Sequence, residues 1–286
     1  MQHGPAVRRR KLGAELRALR TGAGLTSGEA ARMVGWHQSK VSRIETGSSG
    51  AKPADVRLLL DVYGVADAQL RELILVLAGS DEGSGRHHWW HAYRGVLPPT
   101  YRDFISLESQ ASAMRTLETS VVPGLLQTPE YARAVTRAAV DGLDDERLDA
   151  LVEVRLARQD VLRADPPLEL SAVLDEAVLH REIGGPDVMA QQLGRLLEAA
   201  RLPQVRLQVL PFAAGAHVGV TGPFVIFSFS RTSDLDVVVL DHLTSSLYLE
   251  RKEDLQAYTE AFNALQIHAL SPEDSLDYIA GLGDGT

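Results

Sequence analysis

The amino-acid sequence predicts an all-α N-terminal domain of five helices and an α+β C-terminal domain with a mixed sheet of about five strands. Two observations carry this prediction. Apolar residues recur at helical spacing through residues 1–78, with glycines where the pattern breaks. Beyond residue 165, short apolar runs of strand length alternate with further helical patterns. With 286 residues, 45% of them hydrophobic, the chain is long enough to bury two cores.

The first two helices are marked by apolar spacing and by a cap. Leu12, Leu16 and Leu19 follow helical spacing, and the Gly-rich segment 22–24 breaks the pattern. Thr26 is followed three residues later by a glutamate, which is the spacing of a capping box at the start of a second, short helix. The sequence therefore predicts two helices joined by a tight turn.

A third helix is predicted in the stretch 38–48, between a break at Gly35 and a Gly stop. Its apolar side chains, Val41 and Ile44, are spaced i and i+3, so one narrow face packs and the other side chains project outward. The outward side chains carry amide, hydroxyl, ammonium or guanidinium groups: Gln38, Ser39, Lys40, Ser42 and Arg43. Such groups bind the base edges and phosphates of DNA, although an ordinary polar surface helix shows the same pattern.

Positive charge is concentrated in the same region. Residues 1–60 contain eleven Lys or Arg against four Asp or Glu, a balance of +7, whereas the remainder contains eighteen against thirty-four, a balance of −16. An acidic chain is repelled by DNA unless its positive charge is segregated in this way. Residues 53–62 and 67–78 predict a fourth and a fifth helix. Two helices joined by a Gly-containing turn, the second polar on its outer face, predict a helix-turn-helix domain over residues 1–78.

The segments 25–31 and 39–47, LTSGEAA and SKVSRIETG, resemble the XRE, or phage-repressor-like, helix-turn-helix family. The resemblance implies that Gln38, Ser39 and Arg43 face the major groove of DNA. It also implies a scaffold ion pair between Arg20 and Glu45, without contact to DNA. The predicted phosphate contacts combine residues that match the family with further hydroxyl and basic groups: Thr26, Ser27, Lys40, Ser42, Arg8, Arg9 and Arg10. A solvated helix start is the alternative for the three N-terminal arginines.

The composition excludes several classes of protein. The chain has no cysteine, which excludes disulfides, thiolate nucleophiles, iron–sulfur sites and Cys-ligated zinc. It has no apolar stretch near the length of a membrane span and no signal-peptide pattern, so we expect a soluble cytoplasmic protein without membrane contact. We expect no cofactor.

Residues 79–99 are predicted to be a linker with an aromatic anchor. The first part is rich in Gly, Ser and acidic residues, and adjacent tryptophans follow it. His87, His88 and His91 lie close together, but no second ligand cluster completes a metal site. Packing of the aromatic side chains against the next domain is therefore the favoured interpretation.

Residues 100–286 are predicted to form the α+β domain. Helices are expected at 101–115, 129–139, 144–163, 186–200 and 252–270. Strands are expected at 168–174, 205–210, 224–229, 236–240 and 246–250. One crossing helix and several short connections argue for a mixed sheet. The Gly-rich loop 215–223 connects two of the strands and carries His217.

Several segments of this domain resemble the actinobacterial WhiJ-like regulators. The segments are WWHAY at 89–93, VPGLLQTPEYA at 122–132, VLDEAVL at 173–179 and VLPF at 209–212. The resemblance implies an antitoxin-like transcriptional regulator of development or secondary metabolism that is commonly encoded beside a small partner protein. The resemblance does not identify the signal that controls the regulator.

The C-terminal domain shows no motif for catalysis. Glu176 and His180 are spaced i and i+4, and Arg181, His217 and Glu250 are further polar candidates, but no nucleophile, metal set or phosphate loop accompanies them. We therefore expect a non-enzymatic protein and keep hydrolytic activity as a remote alternative.

Two mechanisms of control stay open for this domain, docking of a small protein and binding of a small-molecule effector, and family resemblance favours the first. The candidate surface for either is Leu125, Gln127, Thr128, Tyr131 and His217, with a purely structural turn and helix cap as the alternative. A single recognition helix reads few base pairs, so we also expect a homodimer formed through the C-terminal domain.

Overall fold

The computed structural model describes residues 4–78, 90, 93, 95–140, 142–229, 236–243 and 245–283, with the backbone alone at 4–11, 69, 73, 76 and 99. The chain divides into two compact units, Met1–Trp89 and Trp90–Thr286. The division falls within the predicted linker 79–99. Among the described residues, no helix has both the length and the apolar character that a bilayer span requires.

The N-terminal unit contains the five predicted helices. They are α1 (Gly4–Gly22), α2 (Ser27–Met33), α3 (Gln38–Glu45), α4 (Pro53–Val62) and α5 (Ala68–Leu77). Every helix contributes to one buried core, which consists of Leu12, Leu16, Ala30, Ala31, Val41, Ile44, Val56, Leu59, Leu60, Tyr63 and Ile74. The apolar spacing that predicted α1, α2 and α3 therefore marks the faces that pack.

Two capping side chains and one glycine fix the starts of α2 and α3. Thr26 caps α2 and forms a capping box with Glu29. Gly35 adopts a φ of 69°, a left-handed conformation that costs glycine little and other residues more. His37 then caps α3 by accepting a hydrogen bond from the backbone N–H of Ser39. Helix α3 is thus fixed at its start by side-chain and backbone chemistry within the turn.

Helices α1 and α3 approach each other closely at Gly13. A Cβ atom at this position would lie 2.5 Å from the carbonyl oxygen of Ile44 and 2.6 Å from that of Glu45. Both oxygens are backbone atoms, which cannot move aside as a flexible side chain can. Gly13 is therefore required by the packing of α1 against the end of α3.

A charged pair ties the same two helices together. Arg20 donates from Nε to Glu45 Oε1 at 2.7 Å and from Nη2 to Glu45 Oε2 at 2.9 Å. Its third donor, Nη1, binds the carbonyl oxygen of Leu25 at 2.6 Å, and Tyr63 Oη lies 3.4 Å from Glu45 Oε1. Only 12% of the Arg20 side chain and 5% of the Glu45 side chain are exposed, which confirms the predicted scaffold pair.

The C-terminal unit is an α+β domain built on one mixed sheet. Its helices are α6 (Pro99–Gln110), α7 (Pro129–Ala139), α8 (Asp145–Ala157), α9 (Glu176–His180), α10 (Pro186–Ala199), α11 (Lys252–His268) and α12 (Pro272–Gly283). Its strands are β1 (Ala113–Glu118), β2 (Glu169–Asp175), β3 (Val205–Leu210), β4 (Phe224–Ser228), β5 (Val237–His242) and β6 (Ser245–Leu249). The order across the sheet is β3-β2-β1-β4-β5-β6, with β1, β2 and β3 parallel and the remaining pairs antiparallel.

Helices cover both faces of this sheet. On one face, side chains of β1 and β2 pack with α6, α10 and α12, and with the segment 122–131. On the other face, Leu117, Val173 and Ile226 pack with Phe262 and Leu265 of α11. The sheet therefore lies between two helical layers.

The structure corrects the sequence prediction at three places. The helix expected at 101–115 ends at Gln110, and the central strand β1 follows it, so the described sheet has six strands. The helix expected at 144–163 ends at Ala157 and continues as a 3-10 helix, Arg158–Leu162. The helix expected at 252–270 ends at His268, and α12 is an additional helix.

A buried ion pair holds α6 against the 3-10 helix. Arg158 donates to both carboxylate oxygens of Glu108, at 2.8 and 2.7 Å, and to Tyr101 Oη at 2.7 Å. The exposed fractions of the Arg158 and Glu108 side chains are 5% and 0%. Two charges removed from water this completely are stable only while each has the other as its partner.

The scaffold pair of the N-terminal unit can be tested by substitution. We expect Glu45→Ala to lower the free energy of unfolding by about 3 kcal/mol, because it leaves the guanidinium of Arg20 desolvated without an anionic partner. Chemical unfolding of the full chain, followed by circular dichroism, measures the loss.

The matched control replaces both partners. Because Arg20→Met with Glu45→Met leaves no buried charge, the double variant should recover most of the stability that Glu45→Ala loses. Equal unfolding midpoints for Glu45→Ala and the unsubstituted protein would contradict the assignment.

Candidate functional site

Helix α3 presents a polar outer face in the N-terminal unit. Gln38, Ser39, Ser42 and Arg43 are exposed, whereas Val41 and Ile44 on the opposite side are buried. The structure thus brings the three predicted base-reading residues and one predicted phosphate contact together on one surface. An exposed helical face with amide, hydroxyl and guanidinium groups has the chemistry that reads base edges in the major groove.

Local contacts orient two of these side chains. Gln38 Nε2 donates to Ser27 Oγ at 3.1 Å, which connects the first residue of α3 to the first residue of α2. Arg43 Nε donates to the carbonyl oxygen of Ser39 at 3.2 Å. Within the described part of the chain, the two Nη groups of Arg43 form no hydrogen bond. They are the fork that makes a bidentate contact with guanine.

Lys40 is already engaged within the domain. Its Nζ lies 3.1 Å from Asp55 Oδ2 and 3.6 Å from the centre of the Trp36 ring. The lysine side chain is nevertheless 38% exposed. Asp55 offsets part of the positive charge that Lys40 would offer to a phosphate.

The hydroxyl groups at the start of α2 also have partners. Thr26 Oγ1 donates to Glu29 Oε2 at 2.6 Å and accepts from the backbone N–H of Glu29 at 3.2 Å. The Thr26 backbone N–H also donates to Glu29 Oε2, at 2.8 Å, and the two hydrogen bonds that this carboxylate accepts from Thr26 lower the pKa of Glu29, so it stays ionised beside the predicted phosphate contact. Ser27 accepts from Gln38. The side chains of Arg8, Arg9 and Arg10 lie outside the described residues.

Three of the five residues of the predicted surface of the C-terminal unit are buried. Leu125, Gln127 and Tyr131 are at most 1% exposed, so they offer no surface to a partner. Gln127 Nε2 donates to the carbonyl oxygen of Val122 at 2.7 Å, and the backbone N–H of Val122 donates to Tyr131 Oη at 3.1 Å. The polar atoms of the motif thus have hydrogen-bond partners inside the fold, as we expect for a structural turn and helix cap.

Thr128 has a capping role in the same motif. Its hydroxyl accepts from the backbone N–H of Tyr131 at 3.2 Å at the start of α7. Its own backbone N–H donates to Gln192 Oε1 at 2.8 Å. Thr128 therefore links α7 to α10.

His217 lies in the loop from β3 to β4. Its Nδ1 is buried without a hydrogen-bond partner among the described residues. Gly219 packs so closely on Leu117 of β1 that a Cβ atom would lie 2.8 Å from its Cδ2 and 3.0 Å from His217 Nδ1. Phe212, Val218 and Val220 in the same loop are 61%, 45% and 73% exposed. The loop thus combines a buried polar atom with exposed apolar side chains.

The side chains of Glu176 and His180 lie close together, as their i and i+4 spacing predicts. The carboxylate oxygen Oε1 of Glu176 lies 3.5 Å from His180 Nε2 and accepts from Tyr278 Oη at 2.6 Å. Glu176 Oε2 accepts from the backbone N–H of Phe212, also at 2.6 Å. Desolvation would raise the pKa of Glu176, but the hydrogen bonds from Tyr278 and Phe212 outweigh it and lower the pKa. The contacts join α9, α12 and the end of β3.

Desolvation shifts the pKa of two charged residues that the sequence analysis missed, Glu118 at the end of β1 and Arg155 of α8. Glu118 accepts a hydrogen bond from Thr116 Oγ1 at 3.1 Å, and desolvation raises its pKa to about 7. Arg155 of α8 donates from Nη1 to Gln127 Oε1 at 3.1 Å, and desolvation lowers its pKa. Neither has an ion-pair partner within the described residues. No local motif in the sequence marks these two residues, because their surroundings form only in the folded domain.

The described part of the chain contains no candidate metal site. No three His, Cys, Asp or Glu side chains there are grouped closely enough to hold an ion. The histidines 87, 88 and 91 of the linker lie outside it.

Two family models match the sequence. A helix-turn-helix domain matches residues 11–73, and a domain of unknown function (DUF5753) matches residues 101–281. Searches of curated proteins and of solved structures returned no match. The first match agrees with α1 to α5, so the N-terminal unit is a helix-turn-helix domain of the kind that binds DNA in regulators. The second match covers more than half of the 286 residues, and the chain therefore belongs to the DUF5753 family, with a helix-turn-helix domain at its N-terminus.

Proposed function

We propose that the protein is a sequence-specific DNA-binding transcriptional regulator of the XRE, or phage-repressor-like, type. The outer face of α3 carries the proposal, because Gln38, Ser39 and Arg43 are exposed opposite its buried face. Their amide, hydroxyl and guanidinium groups suit hydrogen bonding to base edges. The balance of +7 in residues 1–60 supplies an attraction to phosphate that the acidic remainder lacks.

Arg43 tests the base-reading surface. We expect Arg43→Ala to weaken binding to the preferred DNA site by roughly 1 to 3 kcal/mol and to relax sequence preference, because a bidentate base contact is lost. Fluorescence anisotropy with a site selected from random duplexes, and with a scrambled duplex of equal length, measures both effects. Unchanged affinity for the selected site would remove Arg43 from the base-reading set.

Lys40 and its partner provide the comparison for Arg43. Lys40→Ala should weaken binding to the selected and the scrambled duplex alike and reduce the slope of affinity against salt by about one, because a phosphate contact carries no sequence information. Asp55→Asn should strengthen binding to both duplexes, since it releases the charge of Lys40. Loss of sequence preference in Lys40→Ala would instead make this lysine a base reader.

The C-terminal domain is assigned to the WhiJ-like, antitoxin-like group on the resemblance of its sequence segments. We therefore propose a regulator of development or secondary metabolism, without enzymatic activity, whose C-terminal domain docks a small partner protein. The exposed apolar side chains of the β3–β4 loop, Phe212, Val218 and Val220, support a docking role. They replace the buried residues of the 122–131 motif as the candidate surface.

The family resemblance implies a small protein encoded beside this one, and co-expression with that protein tests docking. We expect that protein to co-purify with the full chain after co-expression and to be lost when Val218→Ser and Val220→Ser are combined, because apolar contact area is removed. Leu243→Ser is the matched control, since Leu243 is 99% exposed in another loop. Equal recovery with all three chains would contradict docking on this loop.

We further propose that two copies of the chain bind DNA together through the C-terminal domain. One recognition helix contacts only a few base pairs, and two-fold related half-sites give the affinity and specificity that regulators need. Size-exclusion chromatography with light scattering should show a dimer of the full chain. A monomer both free and on DNA would overturn the proposal.

A small-molecule effector is the second candidate for control. Glu118 and Arg155 favour it, because desolvation shifts the pKa of both groups and neither has an ion-pair partner among the described residues. Sites with these properties commonly bind ligands.

A further inference from the structure

The chain itself covers one edge of the sheet, the outer side of β3. The backbone N–H of Val209 donates to Ser275 Oγ at 2.9 Å, and the carbonyl oxygen of Val209 accepts from the backbone N–H of Leu270 at 2.8 Å. Gln208 Nε2 donates to the carbonyl oxygen of Leu270 at 2.9 Å. Leu270 follows α11 and Ser275 lies in α12, so the C-terminal segment of the domain closes the β3 edge.

Strand β6 forms the opposite edge of the sheet and is hydrogen-bonded to β5. Every second residue of such a strand turns its backbone N–H and C=O groups away from the sheet. Among the described residues, no backbone hydrogen bond joins residues 245–249 to anything other than β5. The outward backbone groups of β6 are therefore open to a further strand.

The side chains of β6 do not oppose the addition of a strand. Edge strands are commonly protected by lysine, by proline, by inward-pointing charges or by a bulge. The stretch 243–249, LTSSLYL, contains no charged residue and no proline. Its pairing with β5 runs over five consecutive residues without a bulge. Leu247, in the middle of the strand, is 47% exposed, so β6 combines an open backbone edge with an exposed apolar side chain.

A second copy of β6 complements this edge. Two edge strands related by a two-fold axis perpendicular to the sheet run antiparallel, and each presents the same surface to the other. An axis at Leu247 pairs Ser245 with Leu249 of the second copy and pairs Leu247 with its own copy. All five residues of the strand then lie opposite a residue of the other copy, whereas any other symmetric register leaves part of β6 unpaired. No like charges face each other, and the two Leu247 side chains form an apolar cross-strand pair.

We propose that two copies of the chain dimerise by antiparallel pairing of their β6 strands, which joins the two six-stranded sheets into one continuous sheet. The proposal rests on the dimer of the proposed function and deepens it by naming the interface. The described core need not rearrange, because the groups that pair already lie at the surface. One pair of five-residue strands is a small interface, so the free dimer should dissociate measurably on dilution.

A single introduced cysteine tests the register, because the chain has no cysteine of its own. Leu247→Cys places two thiols directly opposite each other at the axis, within reach of a disulfide. We expect mild oxidation of the full chain to give a covalent dimer on a non-reducing gel. Leu243→Cys is the matched control, since Leu243 is 99% exposed. The register holds its two copies about 27 Å apart, so this variant should not cross-link.

A charge at the same position tests the strength of the dimer. Leu247→Lys replaces the apolar pair by two like charges directly opposite each other. Light scattering over a dilution series should show a dimer dissociation constant that is raised about tenfold or more. Ile267→Lys is the matched control, because Ile267 is 81% exposed and its neighbour Gln266 contacts Gln208 at the β3 edge. This variant should dimerise as the unsubstituted protein does.

The outcomes separate the β6 interface from the dimer itself. A dimer that Leu247→Lys does not weaken and that Leu247→Cys does not cross-link would overturn β6 pairing but leave the proposed dimer standing. A monomeric full chain would overturn both proposals and would leave the β6 edge to a strand of another protein. Equal cross-linking of Leu243→Cys and Leu247→Cys would also overturn β6 pairing, because it indicates random collision. The cross-linking result does not depend on the folding of Leu247→Lys.

Discussion

The C-terminal domain depends on one constraint, which is that the buried charge of Arg158 must have a partner. Arg158 is buried between α6 and the segment at Gly124, and its charge is tolerable only because Glu108 binds it through two hydrogen bonds. The N-terminal domain uses the same chemistry, with Arg20 and Glu45 joining α1 to α3. In both domains a desolvated arginine and its carboxylate hold two helical segments together.

Local signals predicted most of the fold because they act over a few residues. The capping box at Thr26 and the apolar spacing of α1 depend on neighbours within a turn or two of helix. The strand β1 was missed for a physical reason, since Phe104, Leu107, Ala111 and Met114 continue helical spacing across the end of α6. The strand is fixed by distant contacts instead, among them the hydrogen bonds from the Ser112 backbone and hydroxyl to the carbonyl oxygen of Ser228.

Some features of the candidate sites likewise follow from local sequence, and others depend on contacts between distant residues. The outward residues of α3 follow from helical periodicity alone, so their exposure was predictable. The engagement of Lys40 was not, because Asp55 belongs to another helix. The 122–131 motif fitted both a binding surface and a structural turn, because a sequence does not show whether Gln127 and Tyr131 find their hydrogen-bond partners inside the fold, as they do. The raised pKa of Glu118 could not be predicted from the sequence, because a single carboxyl group acquires it from the tertiary surroundings.

The position of β1 has a consequence for synthesis of the chain. This strand precedes the others in sequence but lies in the middle of the sheet, where its neighbours are β2 and β4. A ribosome must therefore deliver the chain as far as Ser228 before the central strand has both partners, and such long-range pairing forms slowly. The helix-turn-helix domain, complete at Leu77, has its whole core much earlier. A growing chain or a truncated fragment thus acquires its helix-turn-helix domain before its C-terminal domain.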